Sequence, residues 1–337
     1  HYIGLPFDLS RVMFITTANV RDTIPGPLLD RMEVLDLPGY ITSEKMHIAK
    51  RFLVPRQMMQ NGLSAGKLEI DDGALTAVIE NYTREAGVRE LERRISAIAR
   101  KAAKKLAEGK HGPYRVTQRN LRRYLGPADY PGQERLAKPE VGVSTGMART
   151  TSGGVILFIE ALKVRGRGSL KLTGHLGEVM KESAEAAMSF VKSYCDGGIV
   201  EDGFFETYDI HLHIPAGAVP KDGPSAGIAI AASLASLAVE REVRHDVSMT
   251  GEITLTGKVL PVGGIKDKVI AAYRAGIREV ILPAMNRKDL EEIPDMVKKH
   301  LRFTFIDKVE EGISAALVGG LPCAAAKRDR RSRHARR

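Results

Sequence analysis

From Gly223 to Val239 the chain carries no charged side chain, and most of that run is Ala, Ser, Leu and Ile. A segment of this length falls short of a membrane span, which takes about 20 apolar residues. It has to be enclosed by protein instead, so the fold needs a core able to surround a helix on all sides. The run is introduced by Pro220-Lys221-Asp222-Gly223-Pro224-Ser225-Ala226-Gly227. Pro224 suits the first turn of a helix, where its missing N–H would lack an intrahelical partner anyway. Ser225 is then expected in that first turn, beside backbone N–H groups whose partial positive charge suits a developing oxyanion. Such a loop can present a nucleophile. Read alone, the same residues fit a helix-capping serine better, since that is the commoner role for such a serine.

A second stretch adds to this. Thr250-Gly251-Glu252-Ile253-Thr254-Leu255-Thr256-Gly257 runs into Val259-Leu260-Pro261-Val262-Gly263-Gly264-Ile265-Lys266-Asp267-Lys268. Lys266 and Lys268 both fall on the first turn of a predicted helix. At ~100° per residue, Lys268 projects among Ala271, Ala272 and Ala275, and Lys266 between Ile270 and Tyr273. Small neighbours leave room for another helix to approach Lys268. The two stretches together resemble the peptidase domain of Lon, the ATP-dependent serine protease family. In that family a serine in Pro-Lys-Asp-Gly-Pro-Ser-Ala-Gly pairs with the second lysine of a Gly-Gly-x-Lys-x-Lys segment. The resemblance therefore implies Ser225 as nucleophile and Lys268 as general base. It also implies Thr250 as a support that orients Lys268, and Asp222 as a loop residue that gates or perturbs the site.

The rest of the chain reads as several parts. Arg11 to Asn19 is an apolar run of strand formers ending in a polar residue, which predicts a buried strand of a parallel sheet with Asn19 at its functional end. Ile24 to Arg31 and a short strand from Glu33 to Leu37 follow. Residues 42–126 read as helical. Glu44 to Gln60 has apolar Met46, Ile48, Ala49, Phe52 and Leu53, with Pro55 as a kink or break. Asp71 to Tyr82 is a second segment, and a long helix runs from Thr83–Arg89 through about Ala107, with Leu91, Ile95, Ile98 and Ala102 on one face. Val116 to Leu125 closes the set. Residues 127–140 are turn-rich and polar, a linker. Strand candidates come next at Val141–Thr145, Val155–Ala161 and Ser169–Leu172, then a helix from Leu176 to Tyr194. Asp209 to Pro215 alternates as a strand, with His211 and His213 on one face. Those histidines could begin a zinc site or supply a base, or could simply lie on a strand face near the site; no third and fourth ligand follow at a zinc spacing. Strands are also expected at Arg278–Pro283 and Arg302–Ile306, and a last helix at Lys308–Leu317.

The resemblance covers the chain from about Phe7 to about Gly320. It implies an α+β multidomain fold: the end of an AAA+ α/β core in residues 1–40, an all-α AAA+ lid in 41–126, a linker in 127–140, a Lon-type peptidase domain in 141–322 and a basic tail in 323–337. By the same resemblance Asn19 matches the sensor asparagine, Arg31 the arginine finger that reaches a neighbouring subunit's nucleotide, and Arg89 the second sensor arginine. Tyr40 and Ile41 lie where the family lines the adenine pocket. ATP/ADP with Mg is implied for the full-length protein, and no cofactor for the peptide-bond chemistry. The implied partners are unfolded or misfolded protein substrates and further copies of the chain in a homohexamer. Two positions depart from the family, which usually carries an aromatic residue at Arg149 and an acid at Val155. No Gly-x-x-x-x-Gly-Lys-[Ser/Thr] occurs in the sequence, so His1 is expected to begin inside a domain and the chain alone to hydrolyse no ATP.

Composition constrains partners and compartment only coarsely. The chain is 43% hydrophobic and 27% charged, as ordinary soluble proteins are. No signal-peptide pattern opens it, and no membrane partner is expected. Cys195 and Cys323 give neither a disulfide framework nor a metal-ligand spacing. A reducing compartment is the default, bacterial cytoplasm first and mitochondrial matrix as the alternative. The tail from Lys327 to Arg337 holds seven Lys or Arg against one Asp, so +6 of the +10 net charge lies there. Such a tail is expected to be disordered and self-repelling, and a candidate contact for DNA or another polyanion. A nucleic-acid-binding module using the predicted lid helices and this tail is the alternative function.

Overall fold

The computed structural model describes residues 8–18, 24–35, 37, 39–110, 112–130, 135–150, 153–195, 199–200, 203–215 and 221–322. The chain divides into two units, His1–Pro38 and Gly39–Arg337.

In the first unit the described residues form one short helix, α1 (Gly26–Leu29). The strand expected from Arg11 is not formed. Residues 12–18 belong to no helix or ladder, and Met13, Phe14 and Ile15 are exposed. Strand-forming side chains alone do not make a buried strand; a parallel strand needs hydrogen-bonded neighbours, and none is found in this unit among the described residues. Residues 33–35 and 37, the described part of the second expected strand, form no ladder either. Asn19 and the basic tail lie outside the described residues.

The second unit opens with α2 (Thr42–Ile48), a π-helical turn (Ala49–Leu53) and α3 (Val54–Gln60). Pro55 does not break this helix. Proline cannot donate to the residue four back, and the wider turn before it absorbs the lost bond. The extra residue per turn also rotates the faces: Ala49 and Leu53 are buried, whereas Phe52 points outward beneath the Arg51 guanidinium. Next come β1 (Leu68–Ile70), α4 (Asp72–Asn81), α5 (Arg89–Ala107), β2 (Tyr114–Val116) and α6 (Leu121–Leu125). Helix α5 begins at Arg89 rather than near Thr83 because the Glu85 carboxylate accepts the N–H groups of Glu90 and Leu91, at 2.9 and 2.8 Å. Leu75, Val78, Leu91, Ile95, Ile98 and Leu121 fill a core of their own beneath these helices.

The remaining elements are β3 (Glu140–Val141), β4 (Val143–Thr150), β5 (Gly153–Arg165), β6 (Leu170–Thr173), α7 (Glu178–Cys195), α8 (Phe204–Thr207), β7 (Tyr208–His213), α9 (Gly227–Val239), β8 (Glu242–Val243), β9 (Val247–Met249), β10 (Glu252–Ile253), β11 (Val259–Leu260), α10 (Ile265–Arg274), β12 (Glu279–Pro283), α11 (Asp295–His300), β13 (Arg302–Ile306) and α12 (Val309–Ala316). Seven strands make one mixed sheet in the order β13-β12-β9-β4-β5-β7-β6. β4, β9, β12 and β13 run parallel, while β5 is antiparallel to both of its neighbours. One face is covered by α7, α9 and α12, whose apolar residues share a core with Ile159, Ile210 and Leu212. Every residue of α9 from Gly227 to Ala238 is buried, which is why a helix with no charged residue is tolerated there. A second core holds Ile265, Val269 and Ala272 of α10 with Met147, Ile156 and Val280 of the sheet. Helices α9 and α10 thus belong to different cores. Among the described residues no helix is long and apolar enough to cross a membrane.

Candidate active site

The carboxyl end of β9 is the meeting point. Strand β9 is only three residues long, and Thr250-Gly251 follows it directly. Thr250 N–H donates to Ile281 O at 3.2 Å, which holds it to β12. Gly251 N–H donates to Ser225 O at 2.9 Å, and Ile228 N–H donates to Gly251 O at 3.1 Å. The start of α9 is therefore stitched to the end of β9 from both sides. Ser225 lies in a single 3-10 turn, Pro224–Ala226, that leads into α9, with Gly223 before it at φ 119°. Pro224 occupies the start of that turn, where no N–H is missed.

Lys268 reaches the same point from α10. It is 3% exposed, whereas Lys266 is only half-buried. Lys268 Nζ donates to Thr250 Oγ1 at 3.1 Å, and Thr250 Oγ1 donates to Ser225 O at 2.9 Å. No hydrogen bond joins Lys268 to the Ser225 hydroxyl, and among the described residues no carboxylate pairs with its amine. Burial disfavours the ammonium, and the Arg149 guanidinium adds repulsion, so its pKa falls from the ordinary 10.5 to about 8. A lysine in this state is neutral in about one molecule in ten at pH 7, and that form can accept a proton.

The other residues singled out in the sequence are placed as follows. Asp222 turns its carboxylate toward α7: Oδ1 accepts the N–H groups of Met180 at 3.1 Å and Gly223 at 2.9 Å. It fixes the loop before Ser225 and makes no bond to Lys268 or Thr250. Lys221, which sequence reasoning passed over, is buried, and its Nζ donates to Gly174 O at 2.9 Å and Ile214 O at 3.0 Å. It pins the same loop to the ends of β6 and β7. The pattern offers one hint, since a lysine so close to a fully buried helix must find acceptors. His211 and His213 share a strand face and both engage the Thr173 hydroxyl, at 2.9 and 2.7 Å. Among the described residues no group of three or more His, Cys, Asp or Glu is placed to hold a metal. Val155 is buried in the sheet, and Arg149 pairs with Asp267 at 3.1 Å.

The residues that the resemblance connects with nucleotide fall in both units. Arg31, in the first, is exposed and donates to Pro27 O, with no carboxylate partner in that unit among the described residues. In the second, Tyr40 N–H donates to Ala86 O at 2.9 Å, which sets Tyr40 and Ile41 beside the loop that leads into Arg89. Ile41 N–H is held by Glu44 Oε2 at 2.9 Å. Arg89 is exposed on the first residue of α5 and has no ion pair among the described residues.

Comparison with known proteins gives this arrangement its family. Residues 115–319 match the Lon protease (S16) C-terminal proteolytic domain, and residues 59–114 match the Lon protease AAA+ ATPase lid domain. The chain belongs to the Lon protease family. It is 51% identical over 337 residues to Lon protease 2 of Thermus thermophilus, a match that covers 100% of this chain and 42% of that protein. It is 54% identical over 319 residues to Lon protease of Dictyoglomus thermophilum, covering 94% and 40%. Against Lon protease of Geobacter metallireducens it is 51% identical over 317 residues, covering 94% and 38%. The chain thus spans about two fifths of the length of the curated relatives it matches.

Proposed function

We propose that this chain is the lid and peptidase part of an ATP-dependent serine endopeptidase that cleaves unfolded or misfolded proteins through a Ser225–Lys268 dyad. The observation that carries the reading is Lys268: a buried amine with no anion paired to it among the described residues, linked through the Thr250 hydroxyl to the carbonyl of Ser225. Burying a lysine with no counter-charge is costly, and a fold keeps such a group where a neutral amine is useful. In the proposed reaction Ser225 Oγ attacks the peptide carbonyl while neutral Lys268 takes the hydroxyl proton. The C–N bond then breaks as Lys268 returns that proton to the leaving amine. Water, deprotonated by Lys268, attacks the ester carbonyl; the C–Oγ bond breaks and Lys268 returns the proton to Ser225 Oγ. N–H groups at the start of the Ser225 helix hold the oxyanion. Thr250 keeps the amine at the foot of the serine turn, and its bond to Lys268 leaves the Ser225 contact to tighten when substrate enters, as catalytic hydrogen bonds commonly do.

The whole protein is proposed to work as a homohexamer in a bacterial cytoplasm. Tyr40 and Ile41 would border the adenine, Arg89 the phosphates, and Arg31 the nucleotide of a neighbouring subunit; Asn19 is proposed to orient the attacking water. ATP with Mg, when bound, supplies the free energy for threading substrate, and the peptide-bond chemistry itself calls on no cofactor. The test is cleavage of a short unstructured fluorogenic peptide by the full-length protein without ATP. A peptide boronate, which bonds nucleophilic serine, is expected to abolish cleavage, and a zinc chelator to leave it unchanged. Inhibition by the chelator and not by the boronate would favour a site built on His211 and His213 instead.

A further inference from the structure

Arg149 stands on β4 opposite Gly154 of β5. Its Nε lies 3.1 Å from Asp267 Oδ2. Its aliphatic stem lies over Gly264, where an added Cβ would come within 2.8 Å of Arg149 Cδ. Gly264 is also left-handed, at φ 70°, and immediately precedes α10. From the other strand of the hairpin, Gly154 closes on the same turn: a Cβ there would lie 2.0 Å from Asp267 O, so no side chain fits. One hairpin therefore grips the first turn of α10 by a charge pair, a stem and a backbone contact. That turn carries Lys268.

Resting on the reading of Lys268 as the general base, we infer that Arg149 is its positioning residue: it fixes the turn from Gly264 to Asp267, occupies the carboxylate next to the base, and sets a second cation beside the amine. The surrounding charges allow this assignment. Arg149 is the charge that acts on Lys268, and it acts in the direction that favours the neutral amine. Asp267 faces Arg149. Arg274, two turns along α10, donates to Gly154 O at 3.2 Å. On the other elements packed around α10, Asp289 bonds Asn286, Arg287 lies over the Phe305 ring, Lys298 pairs with Asp295 and His300 Nδ1 lies 2.7 Å from Met296 O. Lys288, Glu291, Glu292 and Lys299 lie on the same elements, and Glu80 and Arg84 act on Arg274; none of these groups acts on Lys268. β9 and the serine turn contribute only the neutral Thr250 and Ser225. An aromatic residue at position 149, the family's usual choice, could cover Gly264 but could not pair with Asp267.

The experiment is kcat/KM for an unstructured fluorogenic peptide across pH 6–10, using the full-length protein and its Arg149→Met, Arg149→Lys and Asp267→Asn variants. Arg149→Met removes the cation and frees the Asp267 charge, and both changes favour the ammonium. Its rate midpoint is expected to move up by about one pH unit, so that cleavage at pH 7 falls about tenfold while the high-pH plateau is kept. Arg149→Lys should hold the wild-type midpoint. Asp267→Asn, which spares Arg149 and covers the case in which Arg149→Met melts early, should move the midpoint down. An equal loss at every pH in Arg149→Met, or an unmoved midpoint in both Arg149→Met and Asp267→Asn, would overturn the inference. A rate midpoint that persists in Lys268→Met would overturn the underlying reading of Lys268 instead, whatever Arg149 does.

Discussion

Lys268→Met is expected to lower peptide cleavage by at least roughly 10³-fold, within the range a positioned general base supplies, and to leave the fold intact. Lys266→Met should retain most of the activity, because Lys266 is half-buried and bonds neither Thr250 nor Ser225. Lys268→Arg should be nearly as inactive as methionine, since guanidinium does not give up its proton. The same methionine should stabilise the protein at neutral pH. In the unfolded chain the lysine keeps its proton to about pH 10.5, and in the folded protein only to about 8. Below pH 8 both states are protonated and the folded one bears the whole cost of the buried ammonium. Between pH 8 and 10.5 the folded state sheds its proton first and that cost is relieved, so wild-type stability rises with pH across the window. The cost is about 3 kcal/mol, and losing the donor to Thr250 takes back about 1, so a net gain of about 2 kcal/mol is expected at pH 7, fading toward pH 10.5. Peptide kinetics together with denaturant unfolding at pH 7 and pH 10 check both halves. Substantial cleavage by Lys268→Met, or loss confined to Lys266→Met, would reverse the assignment.

Arg31→Ala, in the full-length protein, is expected to abolish ATP hydrolysis while leaving nucleotide binding largely intact. An arginine finger acts on charge that develops only in the transition state, an effect worth about 10³–10⁵ in rate in the well-studied GTPases. The guanidinium is suited to this: it is exposed, and in its unit no described carboxylate neutralises it. Arg31→Lys should recover little, because lysine lacks the planar fork. If Arg31 acts on a neighbouring subunit, mixing Arg31→Ala subunits with subunits whose phosphate-binding loop is disabled should restore part of the hydrolysis. Absence of such rescue in mixed assemblies of confirmed stoichiometry would remove Arg31 from that role.

What the sequence made legible was what depends on one element at a time. The uncharged run from Gly223 announced a buried helix, and α9 is buried from Gly227 to Ala238. Helix spacing leaned only mildly toward Lys268 over Lys266 and the family resemblance made the choice; the structure buries the first and half-exposes the second. What was hidden depends on pairing between elements. Strand β9 is three residues long and carries no pattern of its own, yet it delivers Thr250 to both helices. The Arg149–Asp267 pair joins residues far apart in the chain, so that Arg149 read only as a departure from a family pattern. Asp222 read as a loop residue that gates or perturbs the site, and its bond to the first turn of α7 is one that no local sequence feature encodes. The described part of the Arg11–Asn19 run, residues 11–18, forms no ladder because composition specifies a preference, whereas a ladder needs a partner.

The central claim is that Ser225 is the residue that becomes acylated, and one measurement addresses it directly. The full-length protein is treated with a fluorophosphonate that modifies activated serines, digested, and mapped by mass spectrometry, with Lys268→Met handled in parallel. A single modified serine at position 225, lost in Lys268→Met although that variant folds, is the predicted result. An adduct on any other residue, or an unmodified Ser225 in protein whose peptide cleavage the reagent has stopped, would contradict the account.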